Sequence, residues 1–321
     1  MLADTPTVVT ATQHVTPAVP LPARGDLTRR ARIISNGPLV LVARPAMMLA
    51  SNAQAPVQTF TDLVRHRFIL SNLVEKELKS QYRNQSLGFI WALLNPLVMV
   101  LTLTLVWTYM FSAKPDFAAM VVVVLIPYNF FAYCLSGCTS SILANETLVK
   151  RIRFPRQILP ISVILTHLIH LVVQSSLVLA AVIFLPTRGD ILGMHLLWLP
   201  VVVVVQLALV VGVGLMVAAL NVFYRDVQYL VDSLLTILFW VSPVVYSLSE
   251  TGFEKAHGSL AFYAYHLNPL AGLLEGYRSI LWYGQAPRLD TLAMSAVITL
   301  VVGYMGVRIF WRRERDFADM M

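Results

Sequence analysis

Few side chains with chemistry to offer stand inside the apolar stretches of this sequence. His167 and His170 are three residues apart, a helical spacing that can bring two imidazoles to one metal ion, but no Cys, Asp or Glu nearby completes a ligand set. They read as polar packing between helices. Cys134 and Cys138 lie four apart in one apolar run and share a helix face as small packing residues, not as a disulfide framework. Asp116 and Asp190 sit alone in separate loops, so the carboxylate cluster that glycosyl or acyl transfer would need is missing from both. None of the five lysines follows a glycine, which excludes a phosphate-cradling loop. Asp232 is the one acid close to the body of an apolar run. It falls near the start of that run, as a helix-start or packing residue, which disfavours an ion-coupled carrier.

The elements that position these residues follow from composition. Hydrophobic residues make up 57% of the 321 and charged residues 13%, with a mean hydropathy of +0.70; soluble domains carry about 25% charged residues. The chain is therefore expected to be an all-α integral membrane protein. Its net charge of +7 then reports orientation before it reports nucleic acid, because Lys and Arg collect on the cytoplasmic side.

Residues 1–60 are rich in Thr, Pro, Ala and Val without a sustained period and are expected to be mostly disordered. From 61 to 87 the pattern is that of an amphipathic interfacial helix, with Leu70, Val74 and Leu78 on one face and Asn72, Lys76 and Lys79 opposite. Residues 88–313 hold six expected spans, at about 91–111, 117–143, 158–185, 196–220, 229–248 and 291–311, and 314–321 form a tail. All but five of the 24 Lys and Arg residues precede the first span, lie between spans two and three or four and five, or lie at or beyond the end of span six. The exceptions are Lys114, Arg188, Lys255, Arg278 and Arg288. Six spans with both termini inside satisfy the positive-inside rule. A seventh, from 260 to 283, would strand the basic C-terminus outside. That stretch, within a region from 254 to 286, is expected to be a re-entrant pair of helices on the outer side.

Four strings carry a family resemblance from about Asp62 onward. The first runs Tyr82-Arg83-Asn84-Gln85-Ser86-Leu87-Gly88-Phe89-Ile90-Trp91, followed by Asn95-Pro96, where Gly88 lets the chain turn from the membrane plane into the bilayer. The second is Asn145-Glu146-Thr147-Leu148-Val149-Lys150-Arg151-Ile152-Arg153-Phe154-Pro155-Arg156-Gln157-Ile158-Leu159-Pro160. The third joins Tyr224-Arg225-Asp226-Val227 to Phe239-Trp240-Val241-Ser242-Pro243-Val244-Val245-Tyr246. The last comprises Asn268-Pro269-Leu270, Tyr277-Arg278 and the tail residues Phe317, Ala318 and Asp319. Together they resemble the permease subunits of ABC-2 type polysaccharide exporters, which serve O-antigen, teichoic acid and related lipid-linked glycans.

The resemblance implies a bacterial inner-membrane homodimer with no cofactor of its own, since ATP and Mg would be bound by a partner ATPase subunit. Membrane lipids and a lipid-linked polysaccharide complete the expected partners; nucleic acid is not among them. Coupling to the ATPase would fall to Glu75, Arg83, Lys150, Arg151, Arg153, Phe154, Arg156, Arg225 and Asp226. The cations of the 150–156 loop also serve simply to hold it in the cytoplasm. Aromatic residues gather near the outer ends of the spans. Trp107, Tyr109, Tyr128, Phe131, Tyr133, Trp240 and Tyr246, with Tyr263, Tyr265 and Tyr277 of the re-entrant region, line a channel and its gate on one reading and form a lipid-facing belt on the other. An ABC-2 exporter of a small amphiphile is the second transport reading.

Overall fold

The structure is a computed structural model that describes residues 65–83, 85, 87–111, 116–152, 154–184 and 193–321. Residues 1–64 lie outside the described residues, and with them the expected disordered extension and the start of the interfacial helix. The chain divides into two units, Met1–Ala53 and Gln54–Met321, and everything described belongs to the second. Among the described residues there is no strand.

The interfacial helix α1 (Arg67–Tyr82) turns through Gly88–Ile90 into α2 (Trp91–Phe111). Gly88 takes φ +50°, the left-handed conformation a side chain would resist, so the expected corner is where the sequence puts it. Then come α3 (Phe117–Ser141), the short α4 (Glu146–Arg151), α5 (Ile158–Phe184), α6 (Leu199–Phe223) and α7 (Val227–Val241). Three shorter helices follow, α8 (Leu248–Thr251), α9 (Phe253–Tyr265) and α10 (Pro269–Leu281), before α11 (Leu289–Arg313) and the terminal turn α12 (Phe317–Met320).

Among the described residues, five helices are long and apolar enough to cross a membrane: α2, α3, α5, α6 and α11. The expected fifth span, 229–248, is different. Its helix α7 stops at Val241 after 15 residues, about 22 Å of rise against a hydrocarbon core of about 30 Å. Ser242-Pro243 ends it, because proline removes a donor and forces the preceding residue out of helical conformation.

Helix α3 is the hub. It is almost wholly buried and packs on α2, α5, α6, α7 and α10. Helices α6 and α11 make the closest pair. A Cβ on Gly212 would collide with the Gly303 Cα, and one on Gly306 with the Gly212 carbonyl, so three glycines bring the two backbones together. The Gly212, Gly214 and Ala218 face of α6 is thus internal: Gly214 meets Cys138 and Ala218 lies in the basal core. Cys134 and Cys138 are buried free thiols, as their spacing suggests.

A second apolar cluster closes one end of the bundle, the base. Leu73 of α1, Val149 of α4, Phe310 of α11 and the tail residue Phe317 meet there, and Arg313 lies 4.8 Å from the Phe223 ring centre. Interfacial helix, loop and tail therefore fold together.

Candidate functional site: a basal face, an open polar groove and a clamp

At the base, the expected coupling residues divide into those that build the surface and those that present it. Lys76 of α1 donates to the Asn145 side chain at 2.7 Å, tying the interfacial helix to the loop. Glu146 and Lys150 pair across one turn of α4 at 2.5 Å, and the hydrogen bond from Lys150 holds the Glu146 carboxyl below the usual range. Glu75 and Lys79 do the same on α1, with the same downward effect on Glu75. Arg156 is turned inward. Its backbone N–H donates to the Glu314 carboxylate at 2.9 Å, its guanidinium donates to the Glu314 carbonyl, and it lies over Phe317. Phe154 is half-buried against the basal cluster, so it braces the loop from within the chain. Arg83, Lys150, Arg151, Arg225 and Asp226 are exposed. The apolar residue that projects from this loop is Ile152, 52% exposed, a feature the sequence reading did not single out. Arg153 lies outside the described residues.

Beside the base, an open groove of about 520 Å³ runs between α3, α6 and α7, lined by Ser136, Ser140, Asn221, Arg225, Gln228 and Tyr229 among others. Asp232 stands at its edge. It accepts from Ser136 at 2.7 Å and from Gln228 at 3.0 Å, while Asn221 donates to the Thr139 carbonyl and receives the Gln228 backbone N–H. Its bonding supports the packing role expected of Asp232, yet the side chain remains exposed. Helix α7 continues the polar stripe. Val231, Leu235 and Phe239 face inward at i, i+4 and i+8, leaving Tyr229, Ser233, Thr236 and Trp240 uncovered. Ser136, Ser140, Asn221 and Gln228 escaped the sequence reading because they are isolated polar residues spread over three helices, α3, α6 and α7. Only packing gathers them.

The expected channel aromatics also divide. Tyr128, Phe131 and Tyr277 are buried inside the single chain: Tyr128 donates to the Leu235 carbonyl, and Tyr277 donates to Gln206 at 2.6 Å while Gln206 donates to the Pro127 carbonyl at 2.7 Å. These three hold helices together. Trp107 stacks on Phe117 with ring centres 6.0 Å apart. Tyr109, Tyr133, Trp240 and Tyr263 are exposed, Tyr109 by 81%. Tyr246 and Tyr265 are half-buried.

Those last two belong to a clamp at the far end of α7. Both phenols donate to the Val241 carbonyl and meet each other at 2.9 Å, and Asn268 donates to the Ser242 hydroxyl at 2.9 Å. Arg278, fully buried on α10, donates to the Pro243 carbonyl at 2.7 Å, the Val244 carbonyl at 3.1 Å and the Glu275 carboxylate at 2.7 Å. Glu275 also accepts the Leu248 backbone N–H. A helix that ends early leaves carbonyls without partners; here one arginine and two tyrosines supply them. Asn268 caps α10 by accepting from the Leu270 N–H, with Pro269 at the first helical position, so the clamp's own helix starts where the sequence marks it.

His167 and His170 lie 5.5 Å apart, ring centre to ring centre, and the Tyr82 hydroxyl sits 3.0 Å from His170 Nε2. That contact joins α1 to α5. Among the described residues no group of three His, Cys, Asp or Glu is placed to hold a metal ion.

With this geometry in place, the chain can be compared with known proteins. The pattern of the ABC-2 type transporter family matches residues 70–282. The O-antigen export system permease protein RfbA of Myxococcus xanthus is 32% identical over 264 residues, covering 82% of this chain and 99% of the relative. A Klebsiella pneumoniae protein of the same name is 24% identical, covering 79% and 95%, and the polysialic acid transport protein KpsM of Escherichia coli is 23% identical, covering 74% and 91%. The family match spans the corner at Gly88, the basal loop, the polar groove and the clamp, and the chain belongs to the ABC-2 type transporter family of membrane permeases.

Proposed function

We propose that this chain is the membrane permease subunit of an ABC exporter that carries a lipid-linked polysaccharide across the bacterial inner membrane, powered by a separate ATPase subunit that binds ATP and Mg. The single observation that carries a translocation path is the polar groove. Exposed Ser, Asp and Tyr side chains on helices that otherwise cross lipid are costly against hydrocarbon, and such residues face a bundle interior or a water-filled cavity. In this reading two copies close around the groove and the uncovered face of α7, and the glycan slides past hydroxyls and the rings of Tyr229 and Trp240. The substrate class rests on the names of the relatives.

The orientation puts the base in the cytoplasm, with both termini inside. Helix α7 and the non-helical residues 242–247 together make the sixth crossing, and α8 to α10 form the re-entrant outer region. Burial of Arg278 against backbone carbonyls supports this, because non-helical backbone at membrane depth requires protein partners. The ATPase docks on the basal loop, where Arg151 and Ile152 present a cation beside an apolar knob over a surface braced by Phe154 and Arg156.

The test combines genetics and copurification. Deleting the gene should abolish the cell-surface glycan and leave its lipid-linked precursor inside, and the purified chain alone should not hydrolyse ATP. The double variant R151A/I152D should insert at normal abundance yet lose ATPase copurification, since truncating an interface anchor costs about 2 kcal/mol or more. Normal surface glycan in the deletion strain would overturn the export function, and intact copurification in the double variant would overturn the docking site.

A further inference from the structure

Beneath α9, away from the groove and the base, α9, α10 and the start of α11 line a partly open cavity of about 340 Å³. It lies at the small end of the range of ligand pockets, about 300–1,000 Å³. Its roof is fastened at one corner by Arg288, which donates to Glu254 of α9 at 2.8 Å and to Asp290 at 2.9 Å and lies 4.6 Å from the Phe262 ring centre. Tyr263 adds a bond from α9 to Asp290 at 3.1 Å.

The lining suits one kind of ligand. Ser279 and Gln285 face the cavity with side chains that have no hydrogen-bond partner among the described residues, although their backbones bond to each other at 2.9 Å. A hydroxyl and a carboxamide each donate and accept, which is the inventory a vicinal diol needs. The carboxylates of Glu254 and Glu275 are balanced by Lys255 and Arg288, so no net charge favours a phosphate or a metal ion. Phe262 and Tyr283 supply apolar ring surface beside the polar groups. A large ring carrying hydroxyls on its edge and C–H bonds on its face matches all of these features together.

We propose that this cavity is a saccharide subsite, taking a neutral sugar unit of mono- or disaccharide size, with Ser279 and Gln285 reading its hydroxyls and the Arg288 clasp holding α9 over it. The proposal rests on the glycan-export reading and deepens it by giving the outer region a site that grips a sugar as the polymer leaves.

Saturation-transfer NMR on the full chain in lipid nanodiscs, with D-mannose, D-galactose and N-acetylglucosamine as probes and empty nanodiscs as the blank, tests it. At least one probe should show ring-proton saturation above the blank. S279W, which fills the cavity, should cut that signal at least fivefold, and the milder Q285A at least twofold, with size-exclusion elution unchanged for Q285A. No saturation from any probe, or a signal that Q285A leaves unchanged, overturns the subsite. That result leaves the export function standing, because export is read separately from the surface glycan of the deletion strain.

Discussion

The α6–α11 interface and the outward face of α7 both belong to apolar helices of one bundle, yet they have opposite fates. Between α6 and α11, Gly212, Gly303 and Gly306 let two backbones touch, and the contact is completed within one chain. Along α7, Val231, Leu235 and Phe239 are buried while Tyr229, Asp232, Ser233, Thr236 and Trp240 are left uncovered. One interface is finished scaffold and the other is an unfinished surface. Close packing without polar atoms needs no further partner, whereas a mixed stripe beside a polar groove needs water, a glycan or a second copy to satisfy it.

Removing what ties α7 to the finished part of the molecule tests the contrast most severely. Arg278→Ala strips the donors from the Pro243 and Val244 carbonyls and leaves the half-buried Glu275 carboxylate with the Leu248 N–H but without its cation. Breaking a buried pair from one side costs about 3–5 kcal/mol. The thermal aggregation midpoint in detergent should fall sharply, with partial recovery in Arg278→Lys. An unchanged midpoint in Arg278→Ala would mean that the end of α7 is held by something other than the clamp.

The next effect belongs to the scaffold. Gly306→Val forces a branched side chain onto the Gly212 carbonyl, where backbone, not a flexible side chain, must give way. Overpacking of this kind costs about 1–3 kcal/mol. Lower yield of monodisperse protein and a depressed midpoint are expected, and wild-type behaviour would show that α6 and α11 can separate freely.

The smallest effect on the single chain should come from the open face. Leu234, 55% exposed on α7, becomes Ala with a stability change within about 0.5 kcal/mol in dilute detergent. The same change should weaken self-association measured by crosslinking or sedimentation. A loss of stability as large as that of Gly306→Val would erase the distinction between the two regions.

Much of this architecture was legible from sequence. Apolar runs of 20 or more residues gave the positions of α2, α3, α5, α6 and α11, because a bilayer imposes length and composition on any helix that crosses it. Gly88 marked the corner into α2, and Asn268-Pro269 marked the start of α10, since each is a local conformational instruction. The candidate site was legible only in part. Phe154 and Arg156 look like projecting loop residues in the string, but Phe154 packs into the basal cluster and Arg156 bonds to Glu314, which is 158 positions away. Tyr128, Phe131 and Tyr277 read as channel or lipid-belt aromatics, yet they are buried in the bundle.

By itself, then, the sequence determined the class of the protein, its apolar segments and its turns, because each depends on residues within a few positions of one another. Only the tertiary structure decided where α7 is tied off, which aromatics are buried and where the polar groove lies. Arg278 meets Pro243 across 35 positions, and Ser136 meets Asp232 across 96. Such pairings are set by which helices pack together, and no local period records them.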